Sequence, residues 1–440
     1  MIKEFNLVNF KSYQSANLPL GALTVLVGAN AAGKSNAIEG LRFLSWLAQG
    51  NKLGLFQYSS KDTGLVARGR PEDLALRSQT KFSLGCTASE IEWDRLEAEI
   101  EIRPDGMHIS GESLQASDGL IPLYHLDIPS TGVGNDALVA YNNFSKGGNK
   151  PRITCNDQMP IFMQLDSPAS FQNQKARDVI PPTVKRYQEW LANILFLDPV
   201  PSKMRDYSFP ADKKLLGDGR NLSSVLYSLW GKEADEIPES KRLLRDHLMS
   251  FIQSLPEQEI TTIEFLTAPR GEVMVQLVET FGGKEIKYDA SLLSDGTLRV
   301  LAIAAAMLSA SEGSLVVIEE IDNGVHPSRA RHLLEQILSI ANERHLRVLI
   351  STHNPAMLDA LPDSAVPDVV FCYRDKESGF SRLIRLQDVV DYPELIAQGT
   401  LGHLMTSGVL EKFIKNPRTP EGKRQQALQW LDSLTDGGAK

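Results

Sequence analysis

Patterns of apolar and polar residues predict the elements of residues 1–109. Alternation over residues 2–10 predicts a half-buried strand, and the unbroken apolar run at 22–27 predicts a fully buried one. One-sided apolar periodicity predicts a helix over 36–48. Antiparallel strands are then predicted at 82–88 and 96–102, and the turn at 104–106 leads into a third at 107–109.

The pattern changes between residues 116 and 258. Proline, glycine and asparagine are frequent at 117–170, and helical patterns follow at 182–197, 222–230 and 240–255. No helix sustains the apolar heptads of a long coiled coil. We therefore interpret 116–258 as an inserted lid or short arm.

Strand patterns return at 260–265, 273–281 and 285–288, after which helix and strand patterns alternate up to residue 373. Such alternation predicts an α/β fold with a mostly parallel sheet covered by helices. The polar tail, 387–440, has a helical pattern. We divide the chain into an N-terminal part of the main domain (1–115), the insertion (116–258), a C-terminal part (259–386) and a tail (387–440).

Composition narrows the class of protein. A chain of 440 residues predicts two or three structural units, and a net charge of -9 gives no overall attraction to nucleic acid. The isolated Cys86, Cys155 and Cys372 predict neither a zinc site nor a disulfide framework. The N-terminus has no signal-peptide pattern, and the longest apolar stretch, 298–310, is too short for a bilayer. We expect a cytoplasmic protein without a membrane span.

The strongest chemical signal is the octapeptide GANAAGKS at 28–35, placed between a predicted strand and a predicted helix. It fits the phosphate-loop pattern G-x-x-x-x-G-K-[ST], in which backbone N–H groups wrap phosphates at a helix N-terminus. Lys34 can reach the β- and γ-phosphates, and the Ser35 hydroxyl can bind Mg²⁺. The predicted nucleotide-binding residues of this loop are Gly28, Ala29, Asn30, Ala31, Ala32, Gly33, Lys34, Ser35 and Asn36.

Three later stretches supply the other parts of phosphoryl transfer. A buried strand at 315–318 runs into Glu319, which could hold Mg²⁺, and Glu320, which could polarise a water. Another apolar strand ends at His353, which could orient that water. At 292–297, Ser294 could cap a helix and Gly296 exposes backbone N–H groups, giving a second anion site that a second subunit could use.

The motifs GANAAGKS, LLSDGT, VVIEEID and STHN, in this order, resemble those of the ABC-type ATPases, in particular the RecF/SMC-like and OLD-like group called AAA_21. The opening NLVNFKSY and the stretch LGDGRNL add to the likeness. The resemblance implies a P-loop NTPase fold of the ABC ATPase type, with a parallel core sheet, an antiparallel β flank and a helical insertion. It also implies ATP and Mg²⁺ as ligands, and a head-to-tail homodimer or higher homo-oligomer with ATP at the interface.

The resemblance assigns a role to each motif. Lys34, Glu320 and His353 would be catalytic, with His353 as the switch histidine. Ser35 and Glu319 would hold Mg²⁺. Ser294 and Gly296 would contact the γ-phosphate of ATP bound by the other subunit.

The chain departs from the usual pattern at two positions. Glu319 stands where most ABC ATPases have Asp, so its longer side chain could contact the metal through water. Asp295 replaces the middle glycine of LSGGQ, which favours the AAA_21 group over transporter subunits. Gln57 and Gln79 are the two candidates for the glutamine of the glutamine loop, and the sequence does not decide between them.

We expect an ATP-driven dimeric switch in a nucleic-acid-related or antiphage-defence process, with a separate effector chain such as a nuclease. The alternatives are a DNA repair or clamping ATPase of RecF type and an ABC transporter subunit. DNA contact is predicted only at two clusters of basic and aromatic residues. The first comprises Lys175, Arg177, Lys185, Arg186, Tyr187 and Trp190, and the second Lys203, Arg205, Tyr207, Phe209, Lys213 and Lys214.

Overall fold

A computed structural model of the protein describes residues 1–56, 66–119, 121–132, 134–147, 149–231, 239–252 and 259–415. The strands are β1 Ile2–Phe10, β2 Tyr13–Pro19, β3 Leu23–Val27, β4 Lys81–Ala88, β5 Arg95–Arg103, β6 Gly106–Gln115, β7 Tyr124–Ile128, β8 Asp136–Tyr141, β9 Arg152–Asn156, β10 Leu195–Leu197, β11 Ile260–Thr267, β12 Val273–Phe281, β13 Lys284–Asp289, β14 Leu315–Ile318, β15 Arg347–Ser351, β16 Val369–Arg374 and β17 Ser381–Arg385.

The α-helices of these residues are α1 Lys34–Ala48, α2 Gln174–Ala192, α3 Pro201–Met204, α4 Leu222–Trp230, α5 Glu239–Ile252, α6 Asp295–Ser309, α7 Pro327–Glu343, α8 Pro355–Asp359, α9 Tyr392–Ile396, α10 Leu401–Thr406 and α11 Val409–Lys415. Within the described part of the chain, none is long and apolar enough to cross a membrane.

A six-stranded sheet in the order β10-β14-β15-β3-β16-β17 forms the centre of the fold. Its first five strands are parallel and only β17 is antiparallel. Both faces are buried, since Val25 packs in one apolar core and Leu26 in the other. The predicted parallel α/β core is confirmed.

The predicted antiparallel flank is an eight-stranded sheet in the order β2-β1-β4-β5-β6-β7-β8-β9. Helix α1 packs between this sheet and the central one, with Leu41, Phe43 and Leu44 in the shared core. The sheet continues across the proposed boundary at residue 116. Strand β7 pairs with β6, β8 pairs with β7, and β9 pairs with β8 at the edge. No strands were predicted within 117–170, and these three short strands were missed. The division of the chain into four segments stays a prediction.

The helix predicted at 182–197 differs from the observed one at both ends. It begins at Gln174, because the Asn173 side chain caps it by accepting from the Ala176 N–H at 2.8 Å. It ends at Ala192, and Leu195–Leu197 instead forms β10, which pairs with β14. A three-residue apolar run fits helix and strand equally well, and the free edge of the central sheet decides the outcome.

A three-stranded sheet of β11, β12 and β13 packs on α4, with Val275 and Leu277 in the larger core. The tail predicted to be helical contains α9, α10 and α11 up to Lys415. Its remaining residues, 416–440, lie outside the described part.

A buried carboxylate stabilises the junction of the antiparallel sheet with the segment before α2. Glu112 on β6 accepts hydrogen bonds from the Tyr124 hydroxyl and from the backbone N–H groups of Ile161 and Phe162, each at 2.7 Å. Burial raises the pKa of Glu112 to about 7, although these donors oppose the shift.

We expect stability to fall as pH rises through this range. Between the unfolded pKa of 4.5 and the folded value of about 7, the folded chain keeps a proton that the unfolded chain releases. Raising the pH therefore costs the folded state on the order of 3 kcal/mol. The difference in unfolding free energy between wild type and Glu112→Gln, measured by urea denaturation from pH 4.5 to 8, should change with pH by this amount. Parallel pH profiles for the two proteins would contradict the assignment.

Candidate functional site

The predicted phosphate loop lies between the end of β3 at Val27 and the start of α1 at Lys34. Gly28, Ala31 and Gly33 have φ values of 149°, 63° and 125°, so the loop is tightly curled. Such a turn aims successive N–H groups into one concavity, where they can bind an anion. Gly28 has no substitute, because a Cβ there would lie 2.1 Å from the Cys372 carbonyl oxygen.

Residues distant in sequence support this loop. The Tyr13 hydroxyl donates to the Gly33 carbonyl at 3.1 Å, and the Ser381 hydroxyl donates to the Ala32 carbonyl at 2.6 Å. Asn36 donates through Nδ2 to the Ser12 hydroxyl at 2.8 Å. These contacts give a physical reason for the Phe-Lys-Ser-Tyr stretch, whose serine and tyrosine hold the loop against α1 and β17.

The loop forms one wall of a cavity of about 440 Å³. The lining residues from the loop are Ala29, Asn30, Ala31, Gly33, Lys34, Ser35 and Asn36, and those from elsewhere are Arg68, Glu319, Glu320, Ser351, Thr352, His353 and Arg374. Gly28 and Ala32 line an adjoining cavity of about 490 Å³, which His353 also borders. The fold therefore gathers the loop, both carboxylates and the histidine in one place.

Lys34 lies at the base of the phosphate-loop cavity. Its ammonium group donates to the Gly28 carbonyl at 2.6 Å and to the Ala29 carbonyl at 3.2 Å. Burial lowers the pKa of Lys34, and the nearby Glu320 and Asp322 carboxylates oppose that shift. The charge is thus held against the backbone of the phosphate loop.

The two carboxylates after β14 have different environments. Arg42 on α1 donates to Glu319 Oε1, and burial raises the pKa of Glu319 while Arg42 opposes the rise. Glu320 has a φ of 49°, uncommon for a residue with a side chain, and its N–H donates to the Ser351 hydroxyl at 3.1 Å. Asn323 donates to Glu320 Oε2 at 2.7 Å, which orients the carboxylate.

His353 follows β15, directly beside β14 in the sheet. Its Nδ1 lies 3.6 Å from Asp322 Oδ2, and the Thr352 hydroxyl donates to Asp322 Oδ1 at 2.6 Å. The histidine side chain is half exposed, whereas the Asp322 carboxylate is buried. A buried carboxylate at this place can orient the imidazole and fix its tautomer.

The Ser294 and Gly296 motif lies outside the phosphate-loop cavity, since neither residue is among its described lining. Ser294 caps α6 by accepting from the Thr297 N–H at 3.1 Å, as predicted. Gly296 packs against the loop after β14, where a Cβ would lie 2.4 Å from the Gly324 carbonyl oxygen. Arg205 fixes the same turn by donating to the Leu293 carbonyl at 2.9 Å and to Asp295 at 2.7 Å.

The donors around the cavity suit Mg²⁺ bound together with phosphates. The Ser35 hydroxyl and the Glu319 and Glu320 carboxylates line the same space. No group of three or more His, Cys, Asp or Glu residues that could hold a metal ion was found among the described residues. One or two carboxylates plus substrate oxygens form the usual Mg²⁺ site of a nucleotide enzyme. Ser35 and Glu319 therefore offer oxygen atoms suited to Mg²⁺, and their role as its ligands stays a prediction.

Sequence reasoning missed Arg68, which lines the cavity. Glu39 on α1, with a side chain only 6% exposed, accepts from Arg68 Nε at 2.5 Å and also pairs with Lys11. The Lys11 ammonium also donates to the Arg68 carbonyl at 2.7 Å. The available signal was Glu39, a carboxylate within the apolar pattern of α1, since a carboxylate that is buried needs a cation. Of the two glutamine-loop candidates, Gln79 is absent from the described lining and Gln57 lies outside the described residues.

The basic clusters predicted for DNA differ in availability. Tyr187 is buried and donates to the Trp93 carbonyl at 2.8 Å, so it cannot stack on a base. In the second cluster Arg205 holds the Asp295 turn and Lys203 pairs with Asp218 at 3.1 Å. Tyr207 and Phe209 are exposed. Only the second cluster keeps exposed aromatic side chains beside its basic residues.

The parallel sheet with a phosphate loop after β3 and an acidic strand end after β14 defines a P-loop ATPase of the ABC type. The family described as "AAA domain, putative AbiEii toxin, Type IV TA system" matches residues 23–94 and 166–359. Because these segments make up more than half of the chain, the protein belongs to this AAA_21 family. No curated protein matches the chain.

Solved structures similar to this chain include heads of SMC proteins. An Smc head bound to the C-winged helix domain of ScpA is 12% identical, with a TM-score of 0.48, and the match covers 87% of this chain and 96% of that chain. The SMC head domain from Thermotoga maritima is 11% identical, with a TM-score of 0.39, and the match covers 87% of this chain and 98% of that chain. The family assignment rests on the motifs, the topology and the family match.

Proposed function

We propose that the chain binds ATP with Mg²⁺ and hydrolyses it in a site completed by a second copy. The observation that carries the proposal is the single cavity shared by the phosphate loop, Glu319, Glu320 and His353. Membership of a P-loop ATPase family supports the same activity. When bound between Ser35 and Glu319, Mg²⁺ would neutralise phosphate charge.

Each residue then has a distinct task. The loop N–H groups and Lys34 bind the phosphates, because Lys34 exchanges the Gly28 and Ala29 carbonyls for phosphate oxygens. Glu320 accepts a proton from the attacking water, which His353 orients with the support of Asp322. Ser294 and the N-terminus of α6 contact the γ-phosphate of the nucleotide held by the partner copy.

The proposed biological role is a switch that reports nucleotide state to a separate effector chain, in a defence or nucleic-acid process. The family description, which names a toxin and a type IV toxin–antitoxin system, supports a defence context. Affinity capture of the protein with ATP, co-expressed with the chain encoded beside it, tests the effector. Failure to recover that chain in both nucleotide states would contradict this part.

The ATPase proposal is tested by comparing wild type with Lys34→Ala. The wild-type protein should bind and hydrolyse ATP with Mg²⁺, and the variant should lose at least about tenfold in affinity because a charge-assisted phosphate contact is removed. Lys412→Ala, on exposed α11 surface, is the matched control and should behave as wild type. Equal ATP binding by wild type and Lys34→Ala would overturn the proposal.

A further inference from the structure

Arg42 links the loop helix to the strand that carries the candidate metal ligand. Its guanidinium donates to Glu319 Oε1, and the two side chains are only 24% and 21% exposed. Arg42 follows Ser35 by seven residues, which is about two turns, so both lie on the same face of α1. Glu319, which Arg42 contacts, lines the same cavity as Ser35.

The guanidinium is fixed from a second side. Its central carbon lies 5.0 Å from the centroid of the Phe196 ring, a cation–π contact. Phe196 belongs to β10, whose Leu197 carbonyl accepts the Glu319 N–H at 3.0 Å. Strand β10 therefore contacts both partners of the ion pair: its Phe196 ring packs on Arg42, and its Leu197 carbonyl binds the Glu319 backbone.

Glu319 requires such support for two reasons. A glutamate has one more rotatable bond than an aspartate, so ordering its carboxylate costs more side-chain entropy. The nearby carboxylates of Asp198 and Glu39 also repel it. Without a cation in this position, the carboxylate would be free to turn away from the cavity toward solvent.

We propose that Arg42 is a positioning residue for Mg²⁺: it holds one oxygen of Glu319 so that the other faces the metal beside Ser35. This inference rests on the proposed ATPase function. It assigns Arg42 no contact with nucleotide or metal, only with the ligand that binds the metal. The role explains how a glutamate serves where a shorter, more rigid aspartate is usual.

The test is a Mg²⁺ titration of the binding of a fluorescent ATP analogue, mant-ATP, to the full chain. Arg42→Ala should raise the Mg²⁺ midpoint about tenfold or more, as loss of a residue that orients a metal ligand does. The Mg²⁺ midpoint of Arg42→Lys, which keeps the charge, should fall between those of wild type and Arg42→Ala. Binding of mant-ATP without Mg²⁺, in EDTA, should be the same in all three proteins. Arg331→Ala, which removes a surface ion pair on α7, is the matched control and should keep the wild-type midpoint.

A second comparison isolates the route through Glu319. In a Glu319→Gln background, Arg42→Ala should cause no further shift, because the carboxylate that it orients is gone. An unchanged midpoint in both Arg42 variants, or a full shift in the Glu319→Gln background, would overturn the role of Arg42. Absence of Mg²⁺-dependent mant-ATP binding in the wild type would instead overturn the proposed function.

Discussion

Replacing Glu320 by Gln is expected to lower ATP turnover at least about a hundredfold while ATP stays bound, because a general base contributes this much to a rate. The change is nearly isosteric. The glutamine oxygen can still accept from Asn323 Nδ2, which now lies 2.7 Å from Glu320 Oε2, so the turn after β14 keeps its geometry. What is lost is the negative charge that takes the proton from the attacking water.

The measurement combines single-turnover hydrolysis with the amount of ATP retained on the protein. Glu320→Gln should bind as much ATP as the wild type and release almost no phosphate. Glu285→Gln, on the exposed strand β13, changes charge by the same amount outside the site and should hydrolyse normally. Wild-type turnover by Glu320→Gln would exclude Glu320 as the base, and loss of ATP binding would show a structural role instead.

The predictable parts of the site are those that depend on local sequence. The phosphate loop lies between an unbroken apolar strand and an amphipathic helix, and both are visible in the pattern of residues 22–48. The carboxylates and His353 follow apolar strands, and parallel strands end at the same edge of a sheet. The strand ends therefore predicted that these residues lie close together, and in the structure Glu320 and His353 line the same cavity.

The unpredicted parts depend on contacts between distant residues. The pairing of Arg42 with Glu319 joins positions 277 residues apart, and no local pattern reports it. The supports from Tyr13 and Ser381 to the loop are of the same kind. Short strands such as β10 were missed because three apolar residues acquire strand structure only from their neighbours in the sheet.

Local geometry decides which substitution can test the part of the site that the partner copy supplies. Gly296 is unsuitable, because any side chain there would meet the Gly324 carbonyl and disturb the fold. Ser294 accepts a cap hydrogen bond from Thr297, and Asp or Asn caps a helix as well as Ser does. Ser294→Asp thus keeps the cap and adds a charge that repels phosphate, while Ser294→Asn is its neutral control.

A mixture of Ser294→Asp and Lys34→Ala proteins is expected to regain activity that neither has alone. In a homodimer of either variant both sites are defective. In a mixed dimer the intact phosphate loop of the Ser294→Asp copy meets the intact Ser294 of the Lys34→Ala copy, so one complete site forms. Random pairing makes half of the dimers mixed, which predicts roughly a quarter of wild-type turnover.

The measurement is steady-state phosphate release at fixed total protein, with each variant alone, the mixture and the Ser294→Asn control. Ser294→Asn should retain much more turnover than Ser294→Asp, because repulsion of the γ-phosphate, rather than loss of the cap, causes the defect. A mixture as inactive as its components would mean that each copy holds a complete site. Wild-type turnover by Ser294→Asp would mean that the N-terminus of α6 never faces a nucleotide. Recovery in the mixture requires that two copies share each site, because the intact phosphate loop and the intact Ser294 lie on different copies.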